Sequence, residues 1–280
     1  MTIRIITDST CDLPADVIQE LDITIIPLFI NIGEKGYLDG IEISRKEFYT
    51  NLPGYKTHPT TGTPGIDTFI KAFERLAKNG AEQILSIHIS ESLSATVNVA
   101  RTAAERFNKI PVTVIDSGQL SLGTGFQVEL AARLSREGKS LVEIINALDD
   151  LRSRTFVTAG LETLEYLRRS GRMNRFMMGI GSILQLKPIL TMKNGIPGSE
   201  RVRTSIKAEI RLIEMLEQYL PIEHIAILHT NAQDKVQDFL GRIADLIPEG
   251  NIYSMDITPV IGVHLGPGAL GFAVVAKKTV

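Results

Sequence analysis

This 280-residue sequence has little of several features that would define its class. Cys11 is the only cysteine, which excludes an internal disulfide and a thiolate zinc site and fits a reducing compartment. Lys and Arg number 30 against 32 Asp and Glu, so no basic excess indicates nucleic acid as a partner. The apolar run in MTIRIITDST meets Asp8 too soon for a signal peptide or a membrane span. We therefore expect a cytoplasmic protein that binds no nucleic acid and is not integrated in a membrane.

Complete catalytic constellations are also missing. The five histidines include no pair at H-x-x-x-H or H-x-x-E-H spacing, so a zinc site has no support. No serine lies in G-x-S-x-G, the motif of a nucleophile elbow. Cys11 stands beside Asp12 without basic neighbours, which predicts a structural thiol. We predict no catalytic residue, no metal and no cofactor.

Apolar runs and amphipathic stretches alternate through the first half of the chain. Strands are predicted over 3–8, 23–32, 83–90 and 112–117, and helices over 44–51, 69–80, 94–107, 119–137 and 140–153. This order predicts an α/β fold with a doubly wound, mainly parallel sheet flanked by helices. The carboxyl ends of such strands bind ligands, and the hydroxyl clusters TDST, SESLSAT and IDSG fall there.

The pattern changes after residue 153, and we divide the chain into domains 1–153 and 154–280. The second is predicted to be α/β with a mixed or antiparallel sheet. The Asn-Gly pair at 194–195 indicates a hairpin, and the Lys-Pro pair at 187–188 suits an edge strand. A helix over 205–220 is predicted to face the core with residues at helical spacing, namely Ile206, Ile210, Ile213 and Leu216 or Leu220.

HLGPGALG (264–271) contains G-x-G-x-x-G behind a histidine. A dinucleotide-binding loop would need a following helix and an acidic residue about twenty positions on, but nine residues remain and FAVVA is a strand. The glycines instead predict a tight turn between two strands, stiffened by Pro267. At the mouth of this turn the backbone can approach a ligand closely, so His264 is either a ligand-binding residue or an ordinary core histidine.

Hydroxyl side chains precede two of the predicted helices. Ser94 precedes one, and Thr61 and Thr63 precede another that would begin near Pro64. Helix capping alone would explain them. A helix N-terminus also favours an anion, so these hydroxyls could equally help to hold one. Both interpretations are open at this point.

Several motifs occur together in a distinctive order: DST-CDLP (8–14), TTGTP (60–64), SESLSAT (90–96), LETLEYLRRSGRMN (161–174), LQLKPIL (184–190), RVRT (201–204) and HLGPGALG (264–271). In this order and spacing they resemble the DegV proteins across nearly the whole chain. The resemblance implies two α/β domains, in agreement with the predicted elements.

DegV-like proteins bind a long-chain fatty acid and serve as the carrier subunit of bacterial fatty acid kinase. The resemblance therefore implies a non-catalytic carrier that presents the acyl carboxylate to a separate kinase, which forms an acyl phosphate for phospholipid synthesis. It places carboxylate ligands at Thr61, Ser94 and His264, with most of the lipid site in 1–153. Domain 154–280 would supply His264 and the kinase-docking surface, where Arg172 and Arg203 would meet the kinase or its phosphate.

Three residues depart from the family pattern: Gly62 and Ala95 replace a usual serine and glycine, and Cys11 replaces serine or alanine. The first two leave open whether Thr60, Thr63 or Ser92 also takes part. The alternative hypotheses are an esterase that uses Ser94 with His264, a keto-sugar-binding enzyme, and a regulatory module for another lipid-like ligand.

Overall fold

The structure, a computed structural model, describes residues 2–176, 186–250 and 252–278. The first two residues of the LQLKPIL motif lie outside this part of the chain. The strands are β1 (Ile3–Asp8), β2 (Thr24–Ile26), β3 (Phe29–Ile32), β4 (Lys35–Leu38), β5 (Thr60–Gly62), β6 (Gln83–His88), β7 (Val112–Asp116), β8 (Thr155–Gly160), β9 (Lys187–Lys193), β10 (Ile196–Val202), β11 (Ile222–His229), β12 (Tyr253–Asp256) and β13 (Leu270–Ala276). The α-helices are α1 (Ala15–Glu20), α2 (Arg45–Asn51), α3 (Ile66–Lys78), α4 (Thr96–Arg106), α5 (Leu122–Arg136), α6 (Leu141–Ser153), α7 (Glu165–Arg169), α8 (Met173–Phe176), α9 (Ser205–Glu217), α10 (Gln233–Ile243) and α11 (Pro259–Leu265).

Residues 1–153 and 154–280 are called the first and second halves of the chain below. A four-stranded parallel sheet, in the order β2-β1-β6-β7, forms the centre of the first half. Successive apolar residues of its strands point to opposite faces. Ile6 packs with Phe69 of α3 on one face, whereas Ile5 joins Leu122 and Phe126 of α5 on the other. Helices therefore cover both faces, and the predicted doubly wound sheet is confirmed.

The second half contains a six-stranded sheet in the order β10-β9-β8-β13-β11-β12. All its neighbours are antiparallel except β11 and β12, so the predicted mixed sheet is confirmed. The hairpin at 194–195 is also confirmed, because Asn194 and Gly195 have positive φ between β9 and β10. Strands β1 to β7 end before residue 153 and β8 begins at Thr155. The division at 153 itself stays a prediction.

The single strand predicted over 23–32 is wrong. The segment forms β2 in the parallel sheet and β3 in a separate antiparallel sheet, ordered β4-β3-β5. Pro27 lies between them and has no N–H to continue a ladder. The next N–H, that of Leu28, donates to the Ser9 hydroxyl at 3.2 Å. The small sheet matters for the site because β5 carries Thr61.

The predicted edge position of residues 187–188 is wrong as well, since β9 lies between β10 and β8. Pro188 is tolerated there because pairing with β8 begins one residue later, at Ile189 opposite Gly160. The Pro188 carbonyl still accepts a hydrogen bond from the Leu161 N–H at 2.9 Å.

The prediction for helix α9 is right for Leu216, which is buried, and wrong for Ile206 and Ile210. Ile206 and Ile210 are 71% and 42% exposed. The buried face consists of Ala208, Leu212, Met215 and Leu216. Both stripes have helical spacing, and the buried one lies over β8, where Ala208 and Leu212 are near Gly160.

The prediction that the glycines of HLGPGALG form a turn between two strands is wrong, because they follow helix α11. Pro259 occupies the first helical turn after Thr258, and Gly266, with φ of 73°, ends the helix. Nearly every residue of α11 is buried, so its sequence has no polar face and no helical period. His264 thus lies in the last turn of a helix.

Helix α11 is packed against the first half of the chain. Val260 and Val263 share a core with Leu28, Ile30 and Phe48. The larger core around α5 also draws residues from both halves, including Ile5, Leu122, Val157, Leu190 and Ala273. The two halves are therefore joined through continuous apolar packing.

Gly262 is the point of closest contact. A Cβ atom there would lie 2.2 Å from the Tyr49 hydroxyl oxygen and 2.7 Å from two of its ring carbons. Tyr49 is buried and donates to the Ile257 carbonyl at 2.8 Å, so it cannot move aside freely.

We expect Gly262→Ala to lower the free energy of unfolding by about 1–3 kcal/mol because it overpacks this contact. Urea denaturation measures the change. The matched control is Gly241→Ala in α10, where a Cβ meets nothing within 4 Å and helix propensity favours alanine by up to about 1 kcal/mol. Equal stability of wild type and Gly262→Ala would contradict the close contact between α11 and Tyr49.

Candidate ligand-binding site

Three predicted site residues and one predicted docking residue converge on one cavity. Thr61 comes from β5, Ser94 from the segment before α4, His264 from the end of α11, and Arg172 from the segment before α8. The cavity measures about 150 Å³. Its other walls are mostly apolar and include Leu28, Ile89, Leu93, Leu120, Leu167, Phe176, Val260, Ile261 and Leu265. Polar groups that are far apart in sequence thus meet beside an apolar surface.

His264 is held as a neutral imidazole. Its Nε2 lies 3.3 Å from the Thr61 hydroxyl, 203 positions earlier in the chain. Burial, together with the positive charge of Arg172, lowers the pKa of His264 to about 3. The preceding carbonyl, that of Val263, lies 3.1 Å from Nε2 of His58. The end of α11 is therefore fixed by two contacts from the first half of the chain.

Arg172 carries a charge without a counterion. Its Nη1 donates to the Ser170 carbonyl at 2.9 Å, and no carboxylate of the described residues pairs with it. The neighbouring Arg168 and Arg169 are both paired with Glu165, at 2.8 and 2.6 Å. Burial, assisted by the charge of Arg175, lowers the pKa of Arg172. The cavity is consequently electropositive.

Two buried nitrogens of the site have no hydrogen-bond partner among the described residues. They are Nδ1 of His264 and Nε of Arg172. Buried polar groups in folded proteins are nearly always paired, so each needs a partner that the described residues do not supply. Donors and positive charge at one end of an apolar cavity are the chemistry that holds an anionic head group.

The hydroxyls of the site form a chain. Ser94 lies 2.8 Å from the Thr96 hydroxyl, which lies 3.0 Å from that of Thr63. Ser94 also accepts from the Thr96 N–H, but it is not the cap of α4, whose N-cap is Ala95 without a side-chain bond. The capping interpretation is also wrong for Thr61 and Thr63, since Thr61 lies in β5 and α3 has Gly65 as its N-cap without a side-chain bond.

Of the three neighbouring hydroxyls whose part in the site the sequence leaves open, one is among the described residues that line the cavity. Thr63 lines the cavity, whereas Thr60 is exposed and lies 3.4 Å from the Asn31 amide. Ser92 is not among the described lining residues and bonds Ser90 at 3.0 Å. Sequence reasoning missed Thr96 because a hydroxyl in the first helical turn resembles a cap.

Thr10 was missed as well. It lines the cavity and donates to Asp8, which also accepts from Nδ1 of His88 at 2.9 Å. Its membership of the TDST cluster at the carboxyl end of β1 was the available signal. Because its proton is committed to Asp8, Thr10 offers the cavity an acceptor and not a donor.

A second cavity of about 30 Å³ adjoins the first. The two share Leu120, Phe176, Ile261 and Leu265 as walls. The remaining lining residues come from both halves of the chain and are Ser121, Val157, Ala159, Leu190, Thr191, Met192, Leu228 and Ile257. The polar end therefore opens toward an apolar interior between the two main sheets.

The other two predicted features lie away from this cavity. Arg203 follows β10, is exposed, and is not among the described lining residues. Cys11 is buried and free, and burial raises its thiol pKa. That environment matches the structural role predicted for the thiol.

The described part of the chain contains neither a metal-binding group nor the Ser94–His264 pair of the esterase hypothesis. No three His, Cys, Asp or Glu side chains are grouped to hold a metal ion there. Ser94 and His264 share no hydrogen bond, and no described carboxylate orients the His264 imidazole. None of the described helices is both long and apolar enough to cross a bilayer.

Comparison with known proteins places the chain. Residues 2–277 match the family model described as "Uncharacterised protein, DegV family". A DegV domain-containing protein of Halalkalibacterium halodurans is 34% identical, with 99% of each chain covered. The chain belongs to the DegV family.

Solved DegV structures share the fold over their full length. A fatty-acid-binding DegV family protein from Thermus thermophilus is 33% identical, with a TM-score of 0.89 and coverage of 99% of this chain and 100% of that one. DegV of Bacillus subtilis, a fatty-acid-binding protein, is 31% identical, with a TM-score of 0.90 and the same coverage. The family resemblance and the two-domain α/β fold implied by the sequence motifs are thus confirmed.

We expect the His264 imidazole to stay neutral from about pH 8 down to about pH 5, as followed by its NMR chemical shifts. Its folded pKa of about 3 lies below the ordinary value of 6.5. The associated stability is therefore complete above about pH 6.5 and is lost as the pH falls toward 3. The His264→Gln variant identifies the NMR signal of His264 by its loss. The stability of this variant should lack this part of the pH dependence. A titration midpoint above about pH 5 would contradict the burial of a neutral imidazole.

Proposed function

We propose that this protein binds a long-chain fatty acid and presents its carboxylate to a separate kinase that forms the acyl phosphate. The protein acts as a carrier without catalytic residues or a cofactor. It works in the cytoplasm and supplies phospholipid synthesis. Fatty-acid binding by its DegV relatives supports the ligand, and the family resemblance motivates the kinase.

The observation that carries this proposal is the pair of unpartnered nitrogens, Nδ1 of His264 and Nε of Arg172, at the polar end of an apolar cavity. When Thr61 donates to Nε2, a neutral His264 keeps its one N–H at Nδ1. That N–H can donate to a carboxylate oxygen. Ser94 supplies a hydroxyl, and Arg172 supplies the opposite charge.

The tail provides most of the affinity in this scheme. Burying ~15 methylenes at about 0.8 kcal/mol each contributes roughly 12 kcal/mol before the entropic costs of binding. Each head-group hydrogen bond adds only ~1–2 kcal/mol. The head-group contacts of Ser94 and His264, with Thr61 holding the His264 imidazole, consequently fix the depth and orientation of the chain.

The acyl tail follows the apolar walls from the first cavity into the second. Together these cavities are narrow, since an engineered cavity of about 150 Å³ holds a molecule the size of benzene. We expect the shared side chains Leu120, Phe176, Ile261 and Leu265 to rotate apart when the chain enters. Leucine and isoleucine can do so by changing rotamers.

The two parts of the chain take different tasks. Residues 1–153 hold Thr61 and Ser94, and residues 154–280 contribute His264, Arg172 and the docking surface. Arg203 faces solvent, where a partner protein can reach it. Arg172 lines the cavity itself. Its positive charge suits a contact with the fatty-acid carboxylate or with the negatively charged phosphate of the acyl phosphate.

We expect Thr61→Val to weaken fatty-acid binding about tenfold, because it removes the hydroxyl that holds the His264 imidazole for the head group while keeping the side-chain volume. Competition against a fluorescent acyl probe measures the affinity. Thr60→Val is the matched control on the same strand, and it should bind like wild type because Thr60 faces away from the cavity. Equal affinities of the two variants would remove Thr61 from the head-group site.

Organic extraction of purified protein, followed by mass spectrometry, should recover a long-chain fatty acid. Added fatty acid should bind to protein that has been stripped of lipid. Recovery of no acyl chain together with no binding would overturn the proposal. Hydrolysis of acyl esters that is abolished by His264→Ala would instead support the esterase hypothesis.

A further inference from the structure

Asp12, from the CDLP segment, is a buried carboxylate that lines no described cavity. It has a left-handed backbone, with φ of 55°. Its oxygens accept from the Thr258 N–H at 2.9 Å and from the Ser121 hydroxyl at 2.6 Å. The Arg45 guanidinium pairs with it at 3.0 Å. One carboxylate thus joins the first half of the chain to the second.

The bond to Thr258 falls at the start of α11, because Thr258 is the N-cap of that helix. The two preceding residues are held as well. Arg45 donates to the Asp256 carbonyl, and Tyr49 donates to the Ile257 carbonyl at 2.8 Å. The Thr258 hydroxyl donates to Asp39. Three successive backbone positions before α11 are therefore fixed by side chains from the first half.

Helix α11 transmits this placement to the head-group site. His264 follows Thr258 by six residues, which corresponds to about 9 Å along a helix. The segment is short and packed on several sides, so a shift at its start moves its end. At the far end, polar contacts from His58 and Thr61 and apolar packing of Val263 in the core with Leu28 hold the helix against the first half.

The charge on Asp12 is costly to bury. Burial raises the pKa of Asp12 to about 6, although Arg45, Ser121 and Thr258 act in the opposite direction. A buried ion pair of this kind is often no more stabilising than apolar residues of similar size. The Asp12 carboxylate contributes geometry here, because its oxygens hold the Thr258 N–H and the Arg45 guanidinium in fixed directions.

We propose that Asp12, together with Arg45, is a positioning residue that sets where α11 places the His264 imidazole at the head-group site. This inference rests on the proposed function. Asp12 itself does not touch the ligand. Loss of its carboxylate would weaken recognition of the head group and leave burial of the tail intact.

The test compares a long-chain fatty acid with the alcohol of the same length, for wild type and for Asp12→Asn, by competition against a fluorescent acyl probe. Wild type should prefer the acid. We expect Asp12→Asn to reduce this acid-over-alcohol preference about tenfold, while its affinity for the alcohol stays within about twofold. The control is Asp150→Asn, which breaks an aspartate–arginine pair with Arg154 away from the site and should keep the preference.

Arg45→Lys provides a second, milder variant, since it keeps the charge and loses the planar fork. Circular dichroism reports whether each variant folds. If Asp12→Asn does not fold, the result for Arg45→Lys alone decides the test. An unchanged preference in the folded variants, or an equal loss of acid and alcohol binding, would overturn the inference. Wild-type protein that binds no fatty acid would instead overturn the proposed function.

Discussion

The site depends on one constraint: a helix that is apolar on nearly every side is buried between the two halves of the chain and carries one polar side chain to a cavity. Helix α11 meets this constraint through the contact of Gly262 with Tyr49 and through its apolar packing on both halves. His264 consequently reaches the cavity desolvated and neutral. The positive charge at the polar end then resides on Arg172.

Much of the fold was predictable because local sequence and tertiary environment agree. The parallel strands are continuous apolar runs, and helices such as α2, with its Ser44 cap, carry their own start signals. The failures lie where local sequence is ambiguous. Pro27 can interrupt the strand predicted over 23–32, but it does not assign β3 to a different sheet from β2. Helix α9 has two apolar stripes, and α11 has no polar face.

The candidate site was less accessible from residue types alone. Thr61 and Ser94 could equally have been caps, and His264 an ordinary core histidine, until the family resemblance grouped them. Arg172 was expected at a docking surface but lines the cavity, whereas its neighbours Arg168 and Arg169 are paired with Glu165. Thr96 acts through hydrogen bonds that only the folded chain creates.

The apolar cavity between the two main sheets takes walls from both halves, including Leu120, Val157 and Leu190. An acyl chain lying there would be a removable part of the hydrophobic core. Occupied and empty protein would then differ in their resistance to unfolding, by an amount that grows with ligand concentration. Because unfolded protein is the form that proteases degrade, occupied protein would be cleaved more slowly than empty protein.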